Sequence, residues 1–134
     1  MGPSAPADRL LRTTLWLTAP LNLLVAYSFA IPDGALGELL QLPQGGDAFY
    51  RLLAATLVGL FGLVYLWLAL QPQPDRALVL VGASGKTLAA LCAIALYFAD
   101  SLAGVPALFM SGDLLLAGIW FYWLARQVPQ HPRG

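Results

Sequence analysis

Two ions sit where ions are costly. Lys86 interrupts an otherwise charge-free stretch from Ala77 to Ala99, and Asp113 interrupts another from about Gly104 to Ala125. A charge inside hydrocarbon costs about 2.5–3.5 kcal/mol on insertion scales, so an intramembrane ion is paired, faces a cavity, or serves a function. Asn22 and Tyr65 are the other candidates, an amide and a phenol that both donate and accept hydrogen bonds. Such a set can bind a polar head group, relay a proton, or fix helix register as a structural ion pair.

Depth brings these residues together. At about 1.5 Å of rise per residue, Lys86 lies roughly 13 Å from one membrane edge, Asp113 roughly 18 Å and Asn22 roughly 15 Å from the same edge. All three fall near the middle of a hydrocarbon core roughly 30 Å thick. A lysine stem covers the remaining offset, so Lys86 and Asp113 are expected to pair, with Asn22 as a third member. Tyr65 is expected to add its hydroxyl. Gly82, Ala89, Ala90 and Ala93 around Lys86, and Ala55, Gly59 and Gly62 ahead of Tyr65, make small-residue stripes that favour close helix packing. Pro20 frees a carbonyl beside Asn22 and permits a kink, which would open a small polar pocket between the first, third and fourth spans.

The elements that position these groups follow from composition. Of 134 residues, 59% are hydrophobic and 10% charged, with a mean hydropathy of +0.72. A soluble domain carries about 25% charged residues, so this chain lacks the polar cover that water demands. The expected fold is all-α, a transmembrane four-helix bundle in one membrane domain, with spans at about 12–31, 51–71, 77–99 and 104–126. The connection 32–50 is expected to be an outer loop, in which Ala35 to Leu42 can form a short interfacial helix that caps the bundle or covers a ligand entrance. The tails PSAPAD and VPQHPRG read as disordered.

Arginines orient the chain. Arg9, Arg12, Arg76, Arg126 and Arg133 fall on one side and Arg51 on the other. The positive-inside bias then puts both termini in the cytoplasm. Trp16, Trp67, Trp120 and Trp123, with Tyr50 and Tyr122, are expected near span ends as an interfacial belt. Arg9 and Arg12 before an apolar run that ends in Ser28-Phe29-Ala30 also resemble a signal peptide, but Pro20 and Asn22 interrupt the run, and the segment is expected to stay.

Several function classes are excluded. Seven basic and seven acidic residues leave no net field for nucleic acid. The single Cys92 precludes an internal disulfide and a cysteine-based zinc site. His131, the sole histidine, has no partners for a catalytic triad or a metal. Gly82-Ala83-Ser84-Gly85-Lys86-Thr87 ends like a phosphate-binding loop, yet Leu80 replaces its first glycine and the segment lies within an apolar span. Asp33, Glu38, Asp47 and Asp100 all fall on the outer side, where solvated surface carboxylates are expected in preference to a weak cation site. No cofactor or metal is expected.

Leu21-Asn22, Pro32, Leu42-Pro43, Gly62-Leu63-Val64-Tyr65, Gly82 to Lys86 and Asp113-Leu114 together resemble small bacterial four-helix inner-membrane proteins, loosely the DoxX-like ones. The resemblance covers about residues 10 to 125. Gly112 stands where similar proteins often carry Asn. A four-helix membrane fold is what this resemblance implies, and it brings no reaction or substrate with it.

The leading expectation is a multi-pass inner-membrane protein of accessory or small-ligand-binding type, with Asn22, Tyr65, Lys86 and Asp113 as its polar network. Its expected partners are the lipid bilayer, a small apolar or amphipathic ligand, and a homo-oligomer or larger membrane complex. A small carrier or proton-coupled transporter acting as an oligomer is the first alternative. A membrane enzyme acting on quinone or lipid is the second, with Lys86 or Asp113 as general acid or base; no nucleophile or cofactor motif accompanies them.

Overall fold

Four charge-poor stretches of the sequence become four long helices in a computed structural model, which describes residues 5–127. Every regular element among these residues is helical. α1 spans Ala5–Ala30, α2 Ala35–Leu39, α3 Ala48–Leu70, α4 Arg76–Phe98 and α5 Gly104–Arg126. Asp47 and Asp75 start α3 and α4 by accepting the Phe49 and Leu78 amides at 2.8 and 3.0 Å, which satisfies otherwise orphaned helix N–H groups. α2 is the short helix expected in the outer connection.

Helix ends are closed across elements. Arg12 of α1 donates to the carbonyls of Ala69 and Pro72 at the end of α3. Arg76, which opens α4, donates to the carbonyls of Gln127 and Leu124 at the end of α5. Guanidinium groups suit these places, because the last helical carbonyls are unpaired and carry the negative end of the helix dipole. Arg9, Arg12, Arg76 and Arg126 therefore share one end of the molecule. Asp33, Glu38, Asp47 and Asp100 belong to the connections at the other end, the one expected to be outer.

α1 begins earlier than the span expected from residue 12. Ala5 to Asp8, read as part of a disordered tail, form its first turn. Asp8 accepts hydrogen bonds from Trp123 Nε1 at 2.6 Å and Gln127 Nε2 at 3.0 Å, and Ala7 and Leu11 are buried. Tertiary contact with α5 orders a segment whose composition alone does not. The second tail and His131 lie outside the described residues, as does Arg133.

The long helices pack as two antiparallel pairs. α1 lies along α3, and α4 along α5. Gly62 lets α1 approach, since a Cβ there would stand 3.1 Å from the Asn22 Cβ and 3.2 Å from the Ala19 carbonyl oxygen. The core that joins the pairs sits toward the arginine end, built from Leu11, Leu15, Tyr65, Leu68, Val79 and Trp120 with their neighbours. Toward the outer end the buried positions are small: Ser28, Ala55, Ala90, Ala93, Pro106 and Ala107. Small residues close each pair but leave little bulk to fill the space between the pairs.

α3, α4 and α5 are long and apolar enough to cross a membrane, the mark of a multi-pass membrane protein. α1 has the length, but Asp8, Arg9, Arg12, three threonines and Asn22 dilute its apolar character. Leu17, Leu63, Leu88 and Leu115 all point outward, more than half exposed. A face of that composition fits lipid rather than water.

Candidate functional site

α4 and α5 run antiparallel, in a register that sets Lys86 against Asp113. The ammonium donates to Asp113 Oδ1 at 2.8 Å. Burial is unequal: the lysine side chain is 4% exposed and the aspartate 27%. An ion pair in a low-dielectric interior holds only when its remaining valences are also met, and aromatic rings meet them on the lysine side. Lys86 Nζ lies 5.3 Å from the centroid of Tyr65 and 5.8 Å from that of Trp120, within cation–π range. The two rings meet edge to face, 4.9 Å apart at 69°. Gly82, one turn before Lys86, admits them, since a Cβ there would come within 2.9 Å of Tyr65 Cε1.

Trp120 is held in turn. Its Nε1 donates to Thr14 Oγ1 at 2.9 Å, while that hydroxyl donates within α1 to the Leu10 and Leu11 carbonyls. The expectation that Trp120 and Trp123 sit in an interfacial belt is thus corrected. Both are buried, because a polar partner for each indole N–H exists inside the fold. Trp16, Trp67, Tyr50 and Tyr122 are exposed.

Tyr65 and Asn22 depart from the expected network. Tyr65 reaches the ammonium through its ring rather than its hydroxyl. Asn22 Nδ2 donates to the Val58 carbonyl of α3 at 3.3 Å rather than to either ion. Both nevertheless line one cavity with the ion pair. It encloses about 380 Å³. The pocket expected between the first, third and fourth spans is in fact walled by all four long helices. Thr18, Asn22, Tyr65, Lys86 and Asp113 form its polar side, and residues such as Val25, Phe29, Leu57, Phe61, Phe109 and Met110 supply apolar walls toward the outer end.

Geometry accounts for that shape. The named contacts between helix pairs, Asp8 with Trp123, Thr14 with Trp120, and Tyr65 and Phe61 against Gly82 and Gly85, lie between the arginine end and the level of Lys86. Past that level residues of all four long helices line the cavity, with the ion pair at its floor. Pockets that bind small molecules are mostly apolar with a few convergent polar groups. α1 continues as helix through Pro20.

The remaining motifs find these places in the fold. Gly82 to Thr87 lie in the interior of α4, where the helix consumes the backbone N–H groups a phosphate would need. Among the described residues, no three His, Cys, Asp or Glu side chains are grouped to hold a metal ion. Cys92 is exposed. At the outer end, a broader depression of about 700 Å³ is bordered by Gln41, Pro43, Tyr97 and Asp100, so the outer connection reaches over the turn between α4 and α5.

Thr14 and Phe61 were not singled out by sequence, and Trp120 was expected in an interfacial belt rather than beside the ion pair. A signal existed for Trp120: it stands seven residues after Asp113, two turns on and therefore on the same helix face. No protein family, curated protein or solved structure matches the chain.

Proposed function

We propose that the chain is an inner-membrane protein that crosses four times, with both termini in the cytoplasm, and that it binds a small amphipathic ligand in the midplane cavity as an accessory or ligand-binding component. One observation carries this reading. The Lys86–Asp113 pair is not sealed in the core but forms the floor of an apolar cavity of about 380 Å³, with the aspartate 27% exposed. A pair that served register alone would gain from full packing, because unfilled apolar space weakens a fold. Kinship with the DoxX-like proteins is part of the proposal for the fold, not for any reaction.

The test is co-purification. Wild-type protein and the double variant Lys86→Met, Asp113→Leu are isolated from the same membranes and their bound small molecules compared by mass spectrometry. An amphiphile that accompanies the wild type and is lost from the folded double variant is the expected result. Equal retention by both, or no bound molecule in either, would overturn the ligand site and leave the pair a structural role.

A further inference from the structure

The polar floor of the cavity displays acceptors. Lys86 occupies Asp113 Oδ1, and among the described residues nothing donates to Oδ2. That oxygen is not sealed away, since the only buried side-chain polar atom without a partner among the described residues is Arg51 Nε. Asn22 presents the same polarity. Its Nδ2 must face the Val58 carbonyl, which can only accept, so its Oδ1 is left without a donor. Lys86, by contrast, is spent on Asp113 and covered by the Tyr65 and Trp120 rings. The Tyr65 hydroxyl can both donate and accept.

Charge balance narrows the class. Lys86 and Asp113 neutralise one another, so a charged head would introduce an uncompensated ion beneath apolar walls. A carboxylate or phosphate would meet the free Asp113 oxygen. An ammonium would be favoured by that oxygen but opposed by Lys86 on its other side. A hydroxyl avoids both conflicts, donating to Asp113 Oδ2 or Asn22 Oδ1 while accepting from Tyr65. The volume lies near the lower end of the roughly 300–1,000 Å³ usual for ligand pockets, which suits one hydrocarbon chain better than two.

From these observations we infer that the cavity takes an uncharged single-chain lipid alcohol, its hydroxyl donating to Asp113 Oδ2 or Asn22 Oδ1 and its chain running toward the outer end between the helix pairs. This inference rests on the ligand-binding reading above. The probes are three amphiphiles of equal chain length: dodecan-1-ol, dodecylamine and dodecanoate. Radiolabelled dodecan-1-ol is bound to the full chain in nanodiscs, with empty nanodiscs as the blank, and the other two are added as competitors.

Saturable binding of the alcohol is expected, with dodecanoate and dodecylamine weaker by about tenfold or more, as loss of one well-made buried hydrogen bond predicts. Asn22→Ala should weaken the alcohol and leave the order of the three unchanged. Ala89→Phe, which fills the cavity from α4, should abolish binding of all three. Equal or tighter binding of dodecanoate or dodecylamine would overturn the lipid-alcohol assignment while keeping a ligand site. Failure of all three to bind saturably to the wild type would overturn the site itself.

Discussion

Thr14 and Trp120, 106 residues apart in sequence, share one buried hydrogen bond of 2.9 Å between indole nitrogen and hydroxyl oxygen. The bond ties α1 to α5 and fixes the ring on which the Lys86 ammonium rests. Thr14→Val keeps the shape but strands the indole N–H, and an unsatisfied buried donor costs about 1–3 kcal/mol. The variant should therefore melt lower in detergent, and Thr14→Ser should restore most of the loss. Equal melting of the valine and serine variants would show that the bond contributes nothing.

Lys86 and Asp113 should respond asymmetrically to substitution. Asp113→Leu leaves a buried ammonium with only ring faces for company, and cutting a buried pair on one side costs about 3–5 kcal/mol. Lys86→Met leaves a carboxylate that the cavity already partly exposes, so its loss should be smaller. Replacing both can be close to neutral. The expected order of melting temperature is double variant, then Lys86→Met, then Asp113→Leu; a double variant no better than Asp113→Leu would break the argument.

Gly82 and Gly112 offer a matched pair of tests. A Cβ at Gly82 would meet Tyr65 Cε1 at 2.9 Å and Trp120 Cζ3 at 3.0 Å, whereas one at Gly112 would meet nothing within 4 Å. Overpacking a closed core costs about 1–3 kcal/mol, so Gly82→Ala should destabilise and perturb tryptophan fluorescence. Gly112→Ala should be neutral or gain about 0.5–1 kcal/mol from helix propensity. Equal melting of both alanine variants with the wild type would remove the ring cage as a packing constraint.

How far the sequence could be read depended on how few options each residue had. Lys86 and Asp113 were legible as partners because an apolar stretch leaves an ion almost nowhere else to go, and helix rise fixes its depth. Trp120 was not, since tryptophan serves both interfaces and cores, and only the Thr14 hydroxyl on a distant helix decides between them. Asn22 had several carbonyls and two ions within plausible reach, and the close approach of α1 to α3 at Gly62 settled it on Val58. The first turn of α1 was hidden for a similar reason. Pro6 and Asp8 read as tail residues until Trp123 and Gln127 converge on the Asp8 carboxylate.

The proposed four-span topology makes the last prediction, and it rests on which groups share an end. Arg12 closes α3 and Arg76 closes α5, which gathers Arg9, Arg12, Arg76 and Arg126 at one pole, away from Arg51. Clustered arginines flanking spans are retained on the cytoplasmic side. A reporter enzyme that folds only in the periplasm should therefore be silent when fused after Gly134. The same reporter inserted between Gly45 and Gly46 should be active. Those glycines suit the insertion, with φ of 86° and 90° and open space around both, and exposed turns of this kind tolerate added domains. Activity at both positions would mean an even number of crossings between them, with one of α3, α4 and α5 outside the membrane. Activity at Gly134 with silence at the turn would reverse the orientation and place the Gly45-Gly46 turn in the cytoplasm.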